Sequence, residues 1–478
     1  MRDLLTDLVQ AAAGRADYAD ARWVHSRRER VATRSGRLDE VERGDEEGFG
    51  VRVRIGGAWG FAATRGSDRA AAEEALARAL AVAEAQVDGA PVTPLAPESP
   101  ARGRLVTPTE RDPFTVPFEE KVGLLVAADA ALRTDPRVRV SRAVLVAFRD
   151  EKVFASSEGA LVEQVTTECG GGVAATSVSD EGTQVRSYPS YHDGGVAQAG
   201  WEHVLGLDLV GHAPRVAEQA VALLSAPRCP TRRTTVILDG EQLALQLHES
   251  VGHAVELDRV LGLEAAYAGT SFLRPADRGR RYGSALMNVT ADPTTPGGLG
   301  SFRWDDEGVE GRPTPLVREG ALEGFLSSRE SAGWVGAERS SGCMRASSFA
   351  RQPLVRMTNV HLEPGEAGSL EDLVADTDDG LLFETNRSWS IDGERLHFQF
   401  ATELAWEIRG GERRRLLRDP SYAGVTPAFW GGLDAVCSPP EWRLWSLLNC
   451  GKGEPGQLMR VSHGTAPARF RAVQVGVA

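Results

Sequence analysis

Cysteine is scarce: there are five in 478 residues, with no CxxC pair. A sparse, odd set reads as reduced thiols, not as a disulfide framework. No window approaches 18 uninterrupted apolar residues, so no membrane-spanning helix is expected. The first residues, Met1-Arg2-Asp3-Leu4-Leu5-Thr6-Asp7, carry acids where a secretory signal needs an apolar core, and cytoplasmic residence is the default expectation. Basic clusters are confined to the neighbourhoods of Arg27–Arg30 and Arg413–Arg415, and the net charge is −13, which argues against a nucleic-acid binder. No internal repeat and no low-complexity tract is present. Gly170-Gly171-Gly172 lacks the Lys-Ser/Thr of a phosphate loop and the spacing of a dinucleotide fingerprint, so it reads as a tight turn or bulge between strands.

The rest of the composition, 42% apolar and 25% charged, is that of a soluble globular protein. The length calls for two domains of roughly 200 to 250 residues. Residues 1–228 alternate helix-like and strand-like stretches, with helices expected at 2–13, 67–85 (capped by Ser67), 118–133 and 214–225. Strands are expected at 19–26, 31–33, 50–55, 58–64, 138–149, 151–156 and 161–177. This is an α+β pattern: an α/β N-terminal domain built on a mostly antiparallel sheet. Ala226-Pro227-Arg228-Cys229-Pro230-Thr231 reads as a linker. Residues 229–478 open with a strand at 234–238 and one helix. Short strands between Gly, Pro and Asp turns follow at 285–290, 320–327, 355–361, 380–384 and 397–409, favouring a β-rich sandwich or barrel-like domain.

That one helix carries Leu247-His248-Glu249-Ser250-Val251-Gly252-His253, an HExxxH. Two imidazoles and a carboxylate this close can bind a Lewis-acidic metal and supply the base that deprotonates its water. The spacing imposes a condition. On a regular helix residues four apart sit about 40° apart around the axis, and residues five apart about 140°. His248 and His253 can therefore share one metal only across a π-bulge or a break, which Gly252 would tolerate. Two histidines leave a catalytic zinc one protein ligand short. The candidates are Cys450, in Asn449-Cys450-Gly451-Lys452-Gly453, whose thiolate Lys452 would favour, and His463. Cys169, Cys229, Cys343 and Cys437 read as buried small hydrophobes. Glu256 and Asp258 are candidates to hold His253 from behind, and Arg356 and Asn359 to contact a peptide.

These segments resemble the TldD (TldD/PmbA) family of zinc metallopeptidases. The resemblance rests on His248-Glu249-Ser250-Val251-Gly252-His253 with Glu256 and Asp258, and on Asn449-Cys450-Gly451-Lys452. Shorter matches are Asp17–Asp20, Gly48–Arg52, Asp305–Gly308, Arg356–Asn359 and Phe398-Gln399. It implies one Zn2+ per chain on His248, His253 and Cys450, with Glu249 as catalytic base. It further implies peptide substrates, unfolded or modified, and a homodimer or a heterodimer with a TldE/PmbA-like subunit that encloses the site. A dedicated leader-peptide maturase and a non-catalytic subunit with structural zinc are the alternatives. After His253 the family pattern has glycines, where this chain has Ala254-Val255-Glu256-Leu257-Asp258; that stiffens the segment and spares every proposed ligand.

Overall fold

A computed structural model describes residues 1–191, 194–267 and 269–477. In the first 225 residues the elements are α1 (Arg2–Ala11), β1 (Tyr18–Arg34), β2 (Arg37–Ile55), β3 (Ala58–Arg65), α2 (Arg69–Glu84), β4 (Arg102–Val106), α3 (Phe118–Leu132), β5 (Val138–Ser156), β6 (Leu161–Ser179), β7 (Gly182–Tyr188), β8 (Gly195–Ala197), α4 (Trp201–Gly206) and α5 (Leu209–Ser225). The strands form one sheet ordered β3-β2-β1-β5-β6-β4, with β7 and β8 also paired to β6. All its ladders are antiparallel except β4–β6. Strands expected as separate pieces are continuous: 19–26 and 31–33 fuse into β1, and 138–149 and 151–156 into β5. The charged residues between them face a partner strand on either side, and the ladder hydrogen bonds outweigh their low strand propensity. Asp68, not Ser67, caps α2, accepting from the Ala71 N–H at 2.8 Å. Helix α5 begins five residues before Pro214, capped by Asp208.

The remainder begins with β9 (Arg232–Leu238), α6 (Gly240–Leu247), a π-turn (His248–Gly252), α7 (Leu257–Val260), β10 (Val289–Ala291), β11 (Thr314–Arg318), β12 (Ala321–Leu322), α8 (Arg329–Trp334), β13 (Met344–Arg345) and β14 (Leu354–Val355). It continues with β15 (Val360–Leu362), α9 (Leu370–Ala375), β16 (Asp379–Ile391), β17 (His397–Arg409), β18 (Glu412–Leu417), β19 (Ser421–Val425), α10 (Thr426–Gly431), β20 (Leu433–Val436), β21 (Arg443–Lys452), β22 (Gln457–Thr465) and β23 (Ala468–Val475). Strands β16, β9, β23, β19 and β17 pair in that order, and β17 returns to β16, so the sheet closes on itself. A second sheet runs β12-β11-β10-β15-β22-β21. The α+β class with a barrel-like second half is as the sequence predicts. The strands at 443–475 are not anticipated in it, because their Trp, Arg, Gly and His content breaks any two-residue alternation.

Helix α6 is buried along its whole length, between β9, β16 and β22. Around it lies the largest apolar core, including Val236, Leu243, Leu247, Val251, Met357, Phe383 and Val461. Ion pairs join the N-terminal sheet to the rest of the chain. Arg52 holds Asp20 and reaches Glu307 at 3.5 Å; Asp306 accepts Lys152 at 2.6 Å and faces Arg22 at 3.5 Å. The short motifs Asp17–Asp20, Gly48–Arg52 and Asp305–Gly308 therefore meet in space. A Cβ on Gly48 or Gly50 would strike Phe349, so these positions admit the 345–351 segment against the sheet.

Candidate metal centre

Asp239 starts α6 by accepting the Gln242 N–H at 2.8 Å. The α-helical ladder then widens at the motif: the His253 N–H donates to the His248 carbonyl at 3.1 Å, an i to i−5 bond. Residues five apart thereby sit over one another, and the rings of His248 and His253 lie 4.7 Å apart, nearly perpendicular. The distortion foreseen from the spacing is thus a π-turn. Groups from other elements secure it. Tyr282 Oη donates to the Ser250 carbonyl at 2.5 Å, and Trp430 Nε1 donates to Ser250 Oγ at 2.9 Å. Gly252 has a packing reason rather than a dihedral one: a Cβ there would lie 2.0 Å from Met357 Sδ.

Cys450 comes from β21, where a bulge at 448–449 precedes its pairing with Met459 of β22. Its thiol and one ring nitrogen from each of His248 and His253 lie within 4.8 Å of one another, all buried. Cys450 Sγ is 3.7 Å from His253 Nε2. The opposite nitrogens are occupied: His253 Nδ1 meets Glu256 Oε2 at 2.9 Å, and His248 Nδ1 meets His463 Nε2 at 2.7 Å. His463 Nδ1 in turn lies 3.1 Å from the Val360 carbonyl. A proton on Nδ1 of each of these rings satisfies the contacts with Glu256, His463 and the Val360 carbonyl and leaves the inward Nε2 of His248 and His253 as lone pairs, at the expense of the longer 3.3 Å approach of the Val360 N–H to His463 Nδ1. His463, an alternative third ligand in the sequence, therefore stands behind His248, not in the cluster.

Burial lowers the pKa of His248 to about 4 and that of His253 also, so both rings are neutral at pH 7. Burial pushes the Cys450 thiol up, but Arg356 and His253 outweigh it and the net shift is downward. Lys452 is not the source. Its ammonium is buried against Asp258 Oδ1 at 2.8 Å, the Val355 carbonyl at 2.7 Å and Glu256 at 3.3 Å. Glu256 is likewise raised by burial, yet ends well below its usual range because Lys452, His253 and Arg259 surround it. Asp258 touches Lys452 and not His253. Arg356 and Asn359, expected to contact peptide, are 0% exposed. Arg356 donates to the carbonyls of Cys450 and Gln457, and Asn359 to the Asp292 carbonyl and Ser301. They support backbone, with no surface left for a substrate.

One polar group at the centre escapes sequence reasoning. Arg395 Nη1 donates to Glu249 Oε2 at 2.6 Å. Arg395 sits at the β16–β17 turn with φ of 65°, anchored by Thr426 Oγ1 on its carbonyl at 2.7 Å. Nothing in Asp392-Gly393-Glu394-Arg395 marks it as other than a surface turn. Two neutral imidazoles and a thiol drawn towards thiolate make a donor set that fits a borderline-soft dication such as zinc, with a carboxylate one residue from a ligand.

Compared with known families, residues 231–477 match the PmbA/TldA metallopeptidase C-terminal domain, 19–83 its domain 1 and 111–224 its central domain. The chain belongs to the PmbA/TldD metallopeptidase family. A metalloprotease of Methanothermobacter thermautotrophicus is 30% identical over 99% of this chain and 98% of its own. A zinc metalloprotease TldD homolog of Saccharolobus solfataricus is 28% identical over 50% of this chain and 51% of its own. Among solved structures, TldE from Thermococcus kodakarensis superposes with a TM-score of 0.74 at 16% identity, covering 99% of this chain and 100% of that one. After the motif, Ala254 and Val255 are buried in the main core and Leu257 is buried beside it.

Proposed function

We propose that the protein is a zinc-dependent peptidase acting on unfolded or modified peptides, with residues 229–478 as its catalytic unit. The observation that carries this is the convergence of His248, His253 and Cys450 within 4.8 Å, with Glu249 in the same π-turn. The zinc in the name of the Saccharolobus relative supports the choice of metal. When bound on these three side chains, zinc would supply Lewis acidity to a water and to the scissile carbonyl. Glu249 takes the water proton on its carboxylate and delivers it to the leaving amine. Arg395 holds that carboxylate in place, Glu256 and His463 fix the ring orientations of His253 and His248, and Arg356 favours the ionised form of Cys450. The resemblance of the whole chain to TldE supports pairing with itself or with a TldE-like subunit around an enclosed site, and cytoplasmic residence is part of the same reading.

Glu249→Ala and Cys450→Ala, compared with wild type by elemental analysis and by digestion of unfolded peptides, test the reading. The first variant is expected to keep about one zinc per chain and lose cleavage; the second is expected to lose most of its zinc. Unchanged cleavage by Glu249→Ala refutes the assigned base, and full zinc in Cys450→Ala refutes the ligand set.

A further inference from the structure

A cavity of about 230 Å³ shares its walls with the supports of the metal cluster. Asp258, Glu264, Trp59, Glu330, Trp334 and Leu354 are among the residues that line it. Asp258 is the acceptor for Lys452, whose ammonium also touches the carboxylate behind His253. Glu264 accepts from the Gly453 N–H at 3.3 Å, three residues beyond Cys450. Leu263, at the rim, is 55% exposed. The cavity thus lies beside the end of β21.

The charges around it do not balance. Asp258 is matched by Lys452, Glu330 faces Arg54 at 4.0 Å, and Glu307 faces Arg52 at 3.5 Å. Glu264 has no ion pair among the described residues, and burial pushes its carboxyl above its usual range. Arg52 already lies over the Trp59 ring, 4.9 Å from its centroid, and Trp59 Nε1 is spent on Glu330 at 3.0 Å. Trp334 carries neither: no cation lies over its ring among the described residues, and its buried indole N–H has no acceptor. An apolar guest would strip the remaining water from Glu264 without replacing it, and an anionic guest would be repelled. A guest with a long methylene stem and a cationic head sets its stem or head against the indole face and its charge on the carboxylate; the indole N–H calls for a separate acceptor, such as a backbone carbonyl of the same guest.

We propose that this cavity receives a lysine or arginine side chain of the peptide substrate, with Glu264 as its counter-ion and Trp334 as its aromatic wall. The proposal rests on the peptidase reading, and its test is read by binding so that the two can fail separately. Acetylated and amidated Ala-Ala-Lys-Ala-Ala is titrated into the zinc-loaded Glu249→Ala protein, with tryptophan fluorescence as the signal and the norleucine peptide as control. The lysine peptide is expected to bind roughly tenfold or more tightly than the control. Adding Glu264→Gln is expected to abolish that difference, and adding Trp334→Phe to remove most of the fluorescence change. In the enzyme with Glu249 intact, Glu264→Gln should erase the preference for the lysine peptide over the norleucine peptide. Equal binding of the two peptides, or a lysine preference that survives Glu264→Gln, overturns the proposal. Selective binding of the lysine peptide, lost in Glu264→Gln, by a protein that cleaves neither peptide upholds the cavity and refutes the peptidase reading.

Discussion

Replacing Gly252 with alanine adds one methyl group at the point where the π-turn meets the core. The new Cβ would lie 2.0 Å from Met357 Sδ, 3.2 Å from Cε and 3.3 Å from Cγ. Met357 is 0% exposed, and its neighbour Arg356 carries the Cys450 carbonyl, so the side chain cannot retreat without moving a support of the cluster. Overpacking of this kind costs about 1–3 kcal/mol. The gain in helix propensity from Gly to Ala, at most about 1 kcal/mol, offsets only part of it. For a chain of this size each kcal/mol corresponds to about 1 °C, so Tm should fall by about 1–2 °C. A displacement of His253 should appear as zinc that dissociates at lower chelator concentration. Thermal denaturation and chelator titration of Gly252→Ala read both effects. Gly252→Ala/Met357→Ala is the internal control, since the vacated volume should make the pair less destabilised than the two single changes add up to, by about 0.5–3 kcal/mol. An unchanged Tm with wild-type zinc retention in Gly252→Ala would refute the argument that contact with Met357 shapes the turn.

Three further outcomes follow from the same contacts. Glu256→Gln removes the carboxylate behind His253 and is expected to weaken zinc binding by about 10–100-fold; competition with a chromogenic chelator measures it, and wild-type affinity would show that Glu256 serves Lys452 alone. Arg395→Ala leaves Glu249 without its charged partner and should cost about 1.5–3 kcal/mol, roughly 10–150-fold in kcat/KM, with zinc content retained; full activity would exclude Arg395 from the chemistry. Burial raises Asp239 to about 7 and Glu241 to about 8 in the folded protein. Carboxyls raised on folding take up protons, so their contribution is present below their unfolded values near 4 and is lost as pH climbs through about 7 to about 8. Tm should therefore decline from about pH 5 to about pH 9, by the equivalent of about 1 kcal/mol or more, and Glu241→Gln should flatten the decline. A wild-type Tm that rises over this range would refute the assignment.

The chemistry-bearing residues were legible because they are close in sequence and because helix geometry constrains them. HExxxH cannot bring both rings to one point on a regular helix, so its spacing called for a π-bulge or a break, and a π-turn is found at His248–Gly252. The α+β character and most N-terminal elements followed from caps, prolines and alternation, which are local signals. The flanking network was not legible. Glu256 and Asp258 looked equivalent beside His253, yet only the first reaches it, because Lys452 from β21 takes the second. Arg356 and Asn359 read as strand residues open to a peptide, and burial turned them into backbone supports.

By itself the sequence picked out the two histidines and the glutamate of HExxxH and the break in helical repeat they need, and left the third metal ligand open between Cys450 and His463. The tertiary structure alone decided that β21 brings Cys450 to histidines about 200 residues away. It also decided that His463 stands behind His248, that Arg395 reaches Glu249 from a hairpin turn, and that Glu264 has no ion pair among the described residues in the cavity it shares with Trp334. The physical reason is range. Spacing and propensity act over one or two turns of chain, whereas charge partners and ligand geometry are set by strand register and burial, which only long-range packing fixes.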